Sequence, residues 1–464
     1  MQKGSFKRFL CLLCAGVMMF GLIACGGQGA APDQAGSVSS GAEAAQSTEA
    51  TKAEDTAKPV SLKFFSNMPD QTAGMGLAEK TLVDEYMKAN PNVKIEIEAL
   101  QDEPYKQKFK AYIASNELPD LFQAWGFRAF FEPVMKGGFA AELNKDDYKD
   151  YTFLPTSMDG FSYDGKLYGL PRNTDYYVMY YNKGLFDQAG VKVPTTFQEL
   201  LDATKALRAK GIQPCSTNGK DKWAIISFYH NLYLLESGES QLIYDAVARK
   251  TKFADNPVFL KAAQDLKALM DVGFFQDSFV SADYGAARNL FTQEKAAMYY
   301  MGSWEIGMQS DTSFPESFRN NVSAFMVPVI EGGKGKETDL FGMYGGGYAV
   351  SSASPSKDEA VKLLNFMLKP DNWSKIGWQS GGVISAQDIT PYATGKETQL
   401  QKTMLDILHS ATSMSGQNFC EASAPSFKTA SQDLGQTLAA GIITPEKFIE
   451  ELDKAADKAN AELN

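Results

Sequence analysis

The stretch VKIEIEALQDEPYKQKFKAYIASNELPDLFQAW, residues 93–125, places a strand, a helix and a second strand in direct succession. Its first eight residues alternate apolar and charged side chains, which is typical of a half-buried strand. Residues 105–116 are predicted to form a helix, and LPDLFQAW an apolar strand. A strand at 60–67 and an amphipathic helix at 77–91 precede this stretch. The resulting β-α-β-α-β order predicts a sheet with helices on both faces and right-handed crossovers.

The same alternation of strands and helices continues to the end of the sequence. Further strands are predicted at 176–182, 295–304 and 345–352. Further helices are predicted at 196–211, 356–370 and 444–463. The first of these helices has Thr195 or Thr196 as its N-cap, and the last has Pro445 at its first position, after Thr444. The residues themselves therefore predict two α/β domains, each large enough to have its own core.

The first 59 residues differ in character from the rest of the chain. Three basic residues precede an apolar run at 9–23, which is shorter than the ~20 residues of a membrane span. This pattern predicts a secretory signal peptide over residues 1–24, and the alternative is a single-pass anchor that is retained. Residues 26–59 contain a single large apolar residue and cannot fold alone. We expect them to form a flexible tether with a reach of roughly 30–35 Å.

Charge and residue usage argue against several classes of function. The net charge is −11, and removal of residues 1–24, which carry three positive and no negative charges, gives −14. An acidic protein of this kind is a poor partner for nucleic acid. His230 and His409 are the only histidines and lack metal-ligand spacing, so we expect no metal, no cofactor and no catalytic triad. Cys215 and Cys420 form either a disulfide or, as we prefer, two buried free thiols.

Five segments carry a resemblance to a known family. They are SNELPDLFQAW (115–125), GGFAAELN (137–144), DGKLYGLPRNTDYYVMYYNKGLFDQAGVKVPTTFQELLDATKAL (164–207), FTQEKAAMYYMGSW (291–304) and GGGYAVSSASPSKDEAVKLLNFML (345–368). In this order they resemble the family 1 extracellular solute-binding proteins, which are sugar-binding lipoproteins of ABC importers and include maltose-binding protein. The likeness covers nearly all of residues 60–464.

The resemblance implies an α/β, two-lobed, periplasmic-binding-protein-like fold of type II, with a hinge and a ligand cleft between the lobes. Lobe 1 is expected to comprise residues 60–173 and 346–392, and lobe 2 residues 176–342 and 395–464. The family implies a non-catalytic monomer that captures a carbohydrate, closes by a hinge motion and passes its ligand to the permease subunits of an ABC transporter.

The N-terminal segment also resembles a bacterial lipobox. In that pattern the chain is cut before the cysteine of Leu22-Ile23-Ala24-Cys25, and Cys25 receives lipid. The expected location is the extracellular face of a bacterial cytoplasmic membrane. The lipid on Cys25 would be the only contact with the membrane, and residues 25–59 would be the tether.

Sugars have flat apolar faces ringed by hydroxyl groups, so a sugar site needs aromatic platforms and fixed polar groups. By family position, Trp304 stacks on the sugar, and Trp125 and Trp223 line the cleft from opposite lobes. The alternative for Trp125 and Trp304 is a place in the core. Tyr176 and Tyr177 alternate faces on a strand, so only one of them is expected in the cleft.

The polar candidates lie beside these aromatic residues. Asp175 matches a ligand-binding carboxylate of the maltose-binding relative, and its alternative is a hinge residue that caps local backbone. Arg172 and Asn173 share that alternative. Asn67 ends a strand that should point at the cleft. The remaining candidates are Gln123 and Arg128, next to Trp125, and Gly346, which allows flexibility or close approach.

Two other functions stay open from the sequence. The acidic composition favours a cationic ligand, such as a polyamine or peptide, on the same fold. A secreted glycosidase would need two carboxyl groups that flank the scissile bond. Asp and Glu are abundant enough for such a pair, but no short catalytic motif is present.

Overall fold

A computed structural model describes residues 58–463. The predicted signal peptide, Cys25 and all but the last two residues of the tether lie outside this range and stay predictions. Within the range, none of the helices combines the length and the apolar character that crossing a bilayer requires.

The described residues form a mixed α/β structure. The strands are β1 Val60–Ser66, β2 Val93–Ala99, β3 Leu121–Trp125, β4 Ser162–Tyr163, β5 Lys166–Leu167, β6 Leu170–Pro171, β7 Asp175–Asn182, β8 Gln213–Ser216, β9 Ala296–Gly302, β10 Val322–Phe325, β11 Asp339–Leu340, β12 Gly342–Met343, β13 Gly346–Val350 and β14 Ser413–Met414. The helices are α1 Gly74–Ala89, α2 Asp102–Ser115, α3 Arg128–Lys136, α4 Lys183–Ala189, α5 Phe197–Ala209, α6 Trp223–Ser237, α7 Gln241–Val247, α8 Pro257–Asp271, α9 Tyr284–Thr292, α10 Glu316–Asn321, α11 Lys357–Met367, α12 Lys375–Gln379, α13 Gln399–Ser410, α14 Pro425–Ala439 and α15 Pro445–Leu463.

The first sheet has the strand order β2-β1-β3-β13-β6. Strand β1 pairs in parallel with β2 and β3, as the predicted β-α-β-α-β order requires, and β13 runs antiparallel to β3 and β6. Helices α1, α2, α3 and α11 belong to this sheet's body, which we call the first lobe. In its core, Phe65 on β1 stacks on Tyr105 of α2 with ring centroids 4.1 Å apart.

The second sheet has the order β10-β7-β9-β8, and β12 pairs with β7. Strand β7 is central and buried on both faces, which explains why YYVMYYN reads as an almost continuous apolar run. Tyr177 and Met179 join one hydrophobic cluster, whereas Tyr176, Val178 and Tyr180 join another on the opposite face. We call this sheet, with α5, α6, α8, α9 and α13 to α15, the second lobe.

The predicted helices are confirmed, with small shifts at their ends. Helix α5 begins at Phe197. The side chains of Thr196 and Glu199 form a reciprocal capping box, so Thr196 and not Thr195 is the N-cap. Helix α15 begins at Pro445, and the Thr444 hydroxyl accepts a hydrogen bond from the backbone N–H of Lys447 (3.2 Å). The helix predicted at 77–91 begins three residues earlier, at Gly74.

The chain passes between the two sheets more than once. It leaves the first sheet after β6 and enters the second at β7, and it returns through Tyr344 and Gly345 between β12 and β13. Ile384 and Ile389, which the predicted boundaries assign to lobe 1, pack in a cluster with residues of β7 and β9. The exact lobe boundaries stay a prediction.

The two cysteines of the described residues are buried free thiols. Cys215 lies on β8 and Cys420 lies in a short 3₁₀ turn before α14. This confirms the preferred prediction of two buried free thiols, and not the disulfide.

Candidate ligand-binding site

A cavity of about 280 Å³, which we call the main cavity, lies between the two lobes. The first lobe contributes Asn67, directly after β1, and Trp125, at the end of β3. The second lobe contributes Tyr177 near the start of β7 and Trp304, two residues after the end of β9. Ends of strands from both sheets therefore converge on one space, which is where open α/β sheets bind ligands.

The structure brings seven of the nine predicted ligand-binding residues into the wall of this cavity. They are Asn67, Trp125, Asp175, Tyr177, Trp223, Trp304 and Gly346. The other two, Gln123 and Arg128, do not line it. Gln123 lies two residues inside the strand and is fully buried, with its amide donating to the Ala124 carbonyl (3.0 Å). Arg128 begins α3, pairs with Glu132 (3.1 Å) and lies at a neighbouring cavity.

Trp304 is the centre of an aromatic wall on the second lobe. Its ring meets Tyr177 edge-on, at 5.4 Å and 84°, and Trp223 at 6.0 Å and 62°. The ring also lies directly over Gly302, where an added Cβ would come within 2.1 Å of it. Gly302 is therefore the residue that lets the indole lie against the backbone. The indole N–H of Trp223 is buried and has no hydrogen-bond partner among the described residues.

Trp125 lines the same cavity from the first lobe. Tyr105 and Phe130 meet its ring edge-on at 5.6 Å and 5.1 Å, and the Lys106 ammonium lies 5.2 Å from the ring centroid. Packing on several sides fixes the orientation of the indole before any ligand arrives. Each lobe thus contributes a tryptophan whose ring is fixed by aromatic neighbours and lines the cavity: Trp125 on the first lobe and Trp304 on the second.

The structure also decides between the two adjacent tyrosines. Tyr177 lines the main cavity, and its hydroxyl accepts a hydrogen bond from Ser227 (3.2 Å). Tyr176 faces the opposite side of β7, where its hydroxyl donates to the Met404 carbonyl (2.5 Å). Strand alternation predicts that only one of the pair reaches the cleft, and the residue is Tyr177.

A buried polar network forms the floor of the cavity around Arg172. Its guanidinium donates to the side-chain oxygens of Asn67 (3.1 Å) and Asn173 (3.0 Å) and to the Tyr348 hydroxyl (3.1 Å). The Glu79 carboxylate, which is fully buried, lies 4.0 Å from the guanidinium. Arg172 therefore ties a strand end of the first lobe to the segment that leads into the second lobe.

Asp175 lies at the end of this network. The Asn173 amide donates to one of its carboxylate oxygens, and the residue is only 6% exposed. Burial raises the pKa of Asp175 to about 7, although the Arg172 charge and the hydrogen bonds from Asn173 and the Gly346 backbone act in the opposite direction. Burial thus disfavours the charged form of this carboxyl group relative to the protonated form.

Sequence reasoning missed two charged clusters in the wall. Lys106 pairs with Asp102 (3.0 Å) and Glu103 (2.7 Å). Arg288 makes two contacts with the Glu305 carboxylate, at 2.9 Å and 3.1 Å, and the Tyr284 hydroxyl donates to the same carboxylate. Only the position of Glu305, directly after Trp304, was a local signal.

The wall is acidic, and its basic groups are already engaged. Asp70, Asp102, Asp175, Glu305, Asp311 and Glu421 face three basic residues, Lys106, Arg172 and Arg288. Each of these three makes hydrogen bonds or ion pairs with neighbouring side chains. Across residues 58–463, no group of three or more His, Cys, Asp or Glu side chains is arranged to hold a metal ion.

The chain belongs to the bacterial extracellular solute-binding protein family, whose model matches residues 69–372. It is 23% identical over 316 residues to the multiple sugar-binding protein of Streptococcus mutans, covering 66% of this chain and 71% of that protein. A solved structure from work on xylan utilization by the thermophilic bacterium Caldanaerobius polysaccharolyticus is 33% identical, with a TM-score of 0.77 over 85% of this chain and 99% of that one. A chitin oligosaccharide binding protein is 27% identical, with a TM-score of 0.76 over 87% and 99% of the two chains.

These findings confirm the predicted family and the predicted two-lobed fold. The cavity described above lies between the two lobes of that fold.

Proposed function

We propose that this chain is the solute-binding component of an ABC importer, which captures a carbohydrate, most suitably an oligosaccharide, and delivers it unchanged to a membrane permease. The observation that carries the proposal is the pair of fixed platforms, Trp125 and Trp304, on opposite lobes of one cavity whose floor holds Asp175 and Asn67. Aromatic faces suit the apolar faces of sugar rings, and the carboxylate and amide suit the hydroxyl groups.

Capture in this arrangement is coupled to closure of the lobes. A ring that touches Trp125 gains its contact with Trp304 only when the lobes are close together, so the ligand favours the closed state. The links at 171–177 and 341–348 carry the hinge in this proposal. Lobe 1 then comprises residues 60–173 and 346–392, and lobe 2 residues 176–342 and 395–464.

The charge of the wall favours a ligand without negative charge. Six carboxyl side chains and three basic side chains line it, and the three basic side chains already have partners. Of the carboxylates, Asp102 and Glu305 are two of these partners, and Glu421 is paired with Lys428 (2.6 Å). An anionic sugar would meet like charge in this wall and find no unpaired basic side chain there. The relatives are in keeping with this: one is named a multiple sugar-binding protein and another a chitin oligosaccharide binding protein.

The same geometry favours binding over catalysis. A glycosidase needs two carboxyl groups that act on one glycosidic bond. In the wall, the Glu305 carboxylate is held by Arg288 and Tyr284, and the Asp102 carboxylate is paired with Lys106. A carboxylate held in an ion pair suits a fixed wall of the cavity. A catalytic carboxyl group would instead have to exchange protons with the substrate.

The proposed location rests on the sequence. The lipobox-like Leu22-Ile23-Ala24-Cys25 supports a lipid on Cys25, and residues 25–59 serve as a tether at the extracellular face of the cytoplasmic membrane. A monomer would then sample the space above its permease, because a tether of this composition reaches roughly 30–35 Å.

Thermal unfolding of residues 60–464 against a panel of ligands tests the proposal. The panel contains xylo-, chito- and malto-oligosaccharides, polyamines and short peptides. A ligand present at 100 times its dissociation constant adds ~2.7 kcal/mol to the unfolding free energy. A shift with one class of neutral sugar, recovered unchanged, supports the proposal. A shift with polyamines or peptides alone contradicts the sugar, and conversion of a sugar to products contradicts the absence of catalysis.

A further inference from the structure

A short turn of the second lobe forms part of the wall of the main cavity. We call residues 418–421, which lie between β14 and α14, the cavity turn. Three of its four residues line the cavity: Asn418, Cys420 and Glu421. The fourth, Phe419, is fully buried and does not line it. The Asn418 side chain caps the turn, because it accepts a hydrogen bond from the backbone N–H of Cys420 (3.2 Å).

Helix α6 holds the cavity turn through two side chains that are three positions apart, so both lie on one face of the helix. The Asn418 amide donates to the Ser227 hydroxyl (2.7 Å), which is also hydrogen-bonded to Tyr177 (3.2 Å). The backbone N–H of Phe419 donates to Nδ1 of His230 (3.2 Å). Ser227 lines the main cavity, whereas His230 is fully buried and does not. The first link is thus part of the wall, and the second lies behind it.

The second link fixes the state of the imidazole. Because Nδ1 accepts a hydrogen bond, the proton of the neutral ring lies on Nε2. Burial lowers the pKa of His230 to about 3, although the Asn418 side chain acts in the opposite direction, so the ring is neutral near pH 7. Phe341 and Phe419 pack on the ring, with centroids 4.6 Å and 5.5 Å away. An apolar side chain would enter these surroundings at a lower desolvation cost, so the bond to the Phe419 backbone is what an imidazole adds here.

The cavity turn also lies next to a contact between the lobes. Gln417 directly precedes the turn, and its side-chain oxygen accepts a hydrogen bond from the backbone N–H of Arg128 on the first lobe (3.3 Å). A shift of the turn would therefore change both the cavity wall and the surface against which the first lobe closes.

We propose that His230 is a positioning residue of the ligand site, which does not touch the ligand but holds the Phe419 backbone and with it the Asn418 amide in the cavity wall. The inference rests on the proposed function and adds to it a residue from outside the cavity. Without the imidazole, the buried N–H of Phe419 would lack a partner, and the turn would keep only its link to Ser227.

Titration calorimetry with xylotetraose, chitotetraose and maltotetraose tests the proposal. His230→Leu removes the acceptor and should weaken binding of the sugar that the wild type binds at least ~10-fold. His230→Asn carries an oxygen as many bonds from the backbone as Nδ1, and should restore the affinity to within about threefold of the wild type. Tyr229→Phe is the matched control, because it removes a bond from the same helix, that of the Tyr229 hydroxyl to the Phe259 carbonyl (3.2 Å), and keeps the buried ring. Its affinity should stay within about twofold of the wild type, even where its melting temperature falls.

A double-mutant cycle separates positioning from a general loss of stability. If His230 acts through the cavity turn, the double variant of His230→Leu and Asn418→Ala should lose less affinity than the product of the two single losses. Losses that multiply would overturn the proposal, as would wild-type affinity in His230→Leu or equal affinities of His230→Leu and His230→Asn. An absence of binding of all three sugars by the wild type overturns the proposed function itself and is distinct from those results.

A measurement on the wild-type protein covers the case in which His230→Leu does not fold. The chain has only two histidines, so protein labelled with ¹⁵N-histidine gives the ring signals of His230 and of the exposed His409. Nδ1 of His230 should be unprotonated, and its signal should shift when the bound sugar saturates the site, while the His409 signals stay unchanged. A His230 ring that is protonated at Nδ1, or whose signals do not respond to the sugar, would overturn the proposal.

Discussion

Replacing Asp175 by asparagine should stabilise the protein at alkaline pH and weaken ligand binding. Burial raises the pKa of this carboxyl group from 3.8 to about 7. The folded protein therefore holds the proton more tightly than the unfolded chain does. As pH rises from about 4 to about 7, the unfolded chain releases the proton first, and the unfolding free energy falls.

The size of the effect follows from the same difference. About 3 pH units at 1.36 kcal/mol each give ~4 kcal/mol, an upper limit because opening of the lobes admits water. Asparagine does not titrate, and Arg172 keeps Glu79 as a counter-charge in the variant. The variant should thus match the wild type at or below about pH 4 and exceed it by up to ~4 kcal/mol at pH 8.

Urea unfolding at pH 4 and pH 8, followed by tryptophan emission, measures this difference. Asp187→Asn, an exposed position on α4, is the control and should change the unfolding free energy by less than ~0.5 kcal/mol at both pH values. An Asp175→Asn variant that is less stable than the wild type at pH 8, or whose advantage does not change with pH, would contradict the raised pKa of Asp175 in the folded protein. Stabilisation together with lost affinity would show that the site is maintained at the expense of stability.

Four further predictions concern ligand binding and attachment to the membrane. Trp304→Ala should weaken oligosaccharide binding at least ~30-fold in calorimetry while circular dichroism stays unchanged, whereas loss of folding would place Trp304 in the core. Gly302→Ala should weaken binding to a similar extent in the same titration, because its Cβ would collide with the Trp304 ring; wild-type affinity would show that the ring position is unimportant. Replacing one neutral ring of a bound oligosaccharide by a uronate should weaken binding at least ~10-fold at low salt, and equal affinity would contradict the acidic wall. Cys25→Ser should move the protein from the membrane to the soluble fraction after cell fractionation, and continued membrane retention with a cleaved signal would contradict the lipid anchor.

Local sequence pattern was sufficient for much of the fold. The alternation in VKIEIEAL and the apolar run YYVMYYN report the exposure of a strand's two faces, and these two strands lie at an edge and at the centre of their sheets. The position of Trp125 and Asn67 at strand ends placed both in the cavity wall, because neighbouring parallel strands end at the same edge.

Two predicted site residues, Gln123 and Arg128, do not line the main cavity. Gln123 lies on the same face of β3 as Trp125, but two residues back along the strand, where the sheet covers it completely. Arg128 directly follows Phe127, which lines the main cavity. Its own side chain, at the start of α3, pairs with Glu132 instead. Neither distance along a strand nor the direction of a helix start can be read from residue type.

The sequence also did not predict which residues that are distant along the chain come together in the fold. The pair of Arg172 and Glu79 joins the link between the lobes to α1, and no local spacing connects them. The neighbouring cavity at Arg128 is lined by residues from four parts of the chain, within 126–135, 156–163, 343–344 and 414–417, which meet only after both lobes have formed. Residue type alone does reveal aromatic and acidic richness, but not which of these side chains share one space.

Binding of a sugar between the two lobes should change the tryptophan emission of the protein. Three of the five tryptophans of the chain, Trp125, Trp223 and Trp304, line the main cavity, and the other two, Trp373 and Trp378, are buried elsewhere. Titration of the protein with neutral xylo- and chito-oligosaccharides should give a saturable change in emission, which Trp304→Ala reduces in size and moves to at least ~30-fold higher ligand concentration. Emission that stays constant across the whole series, or a saturable change that is undiminished in Trp304→Ala, would contradict sugar binding at this site.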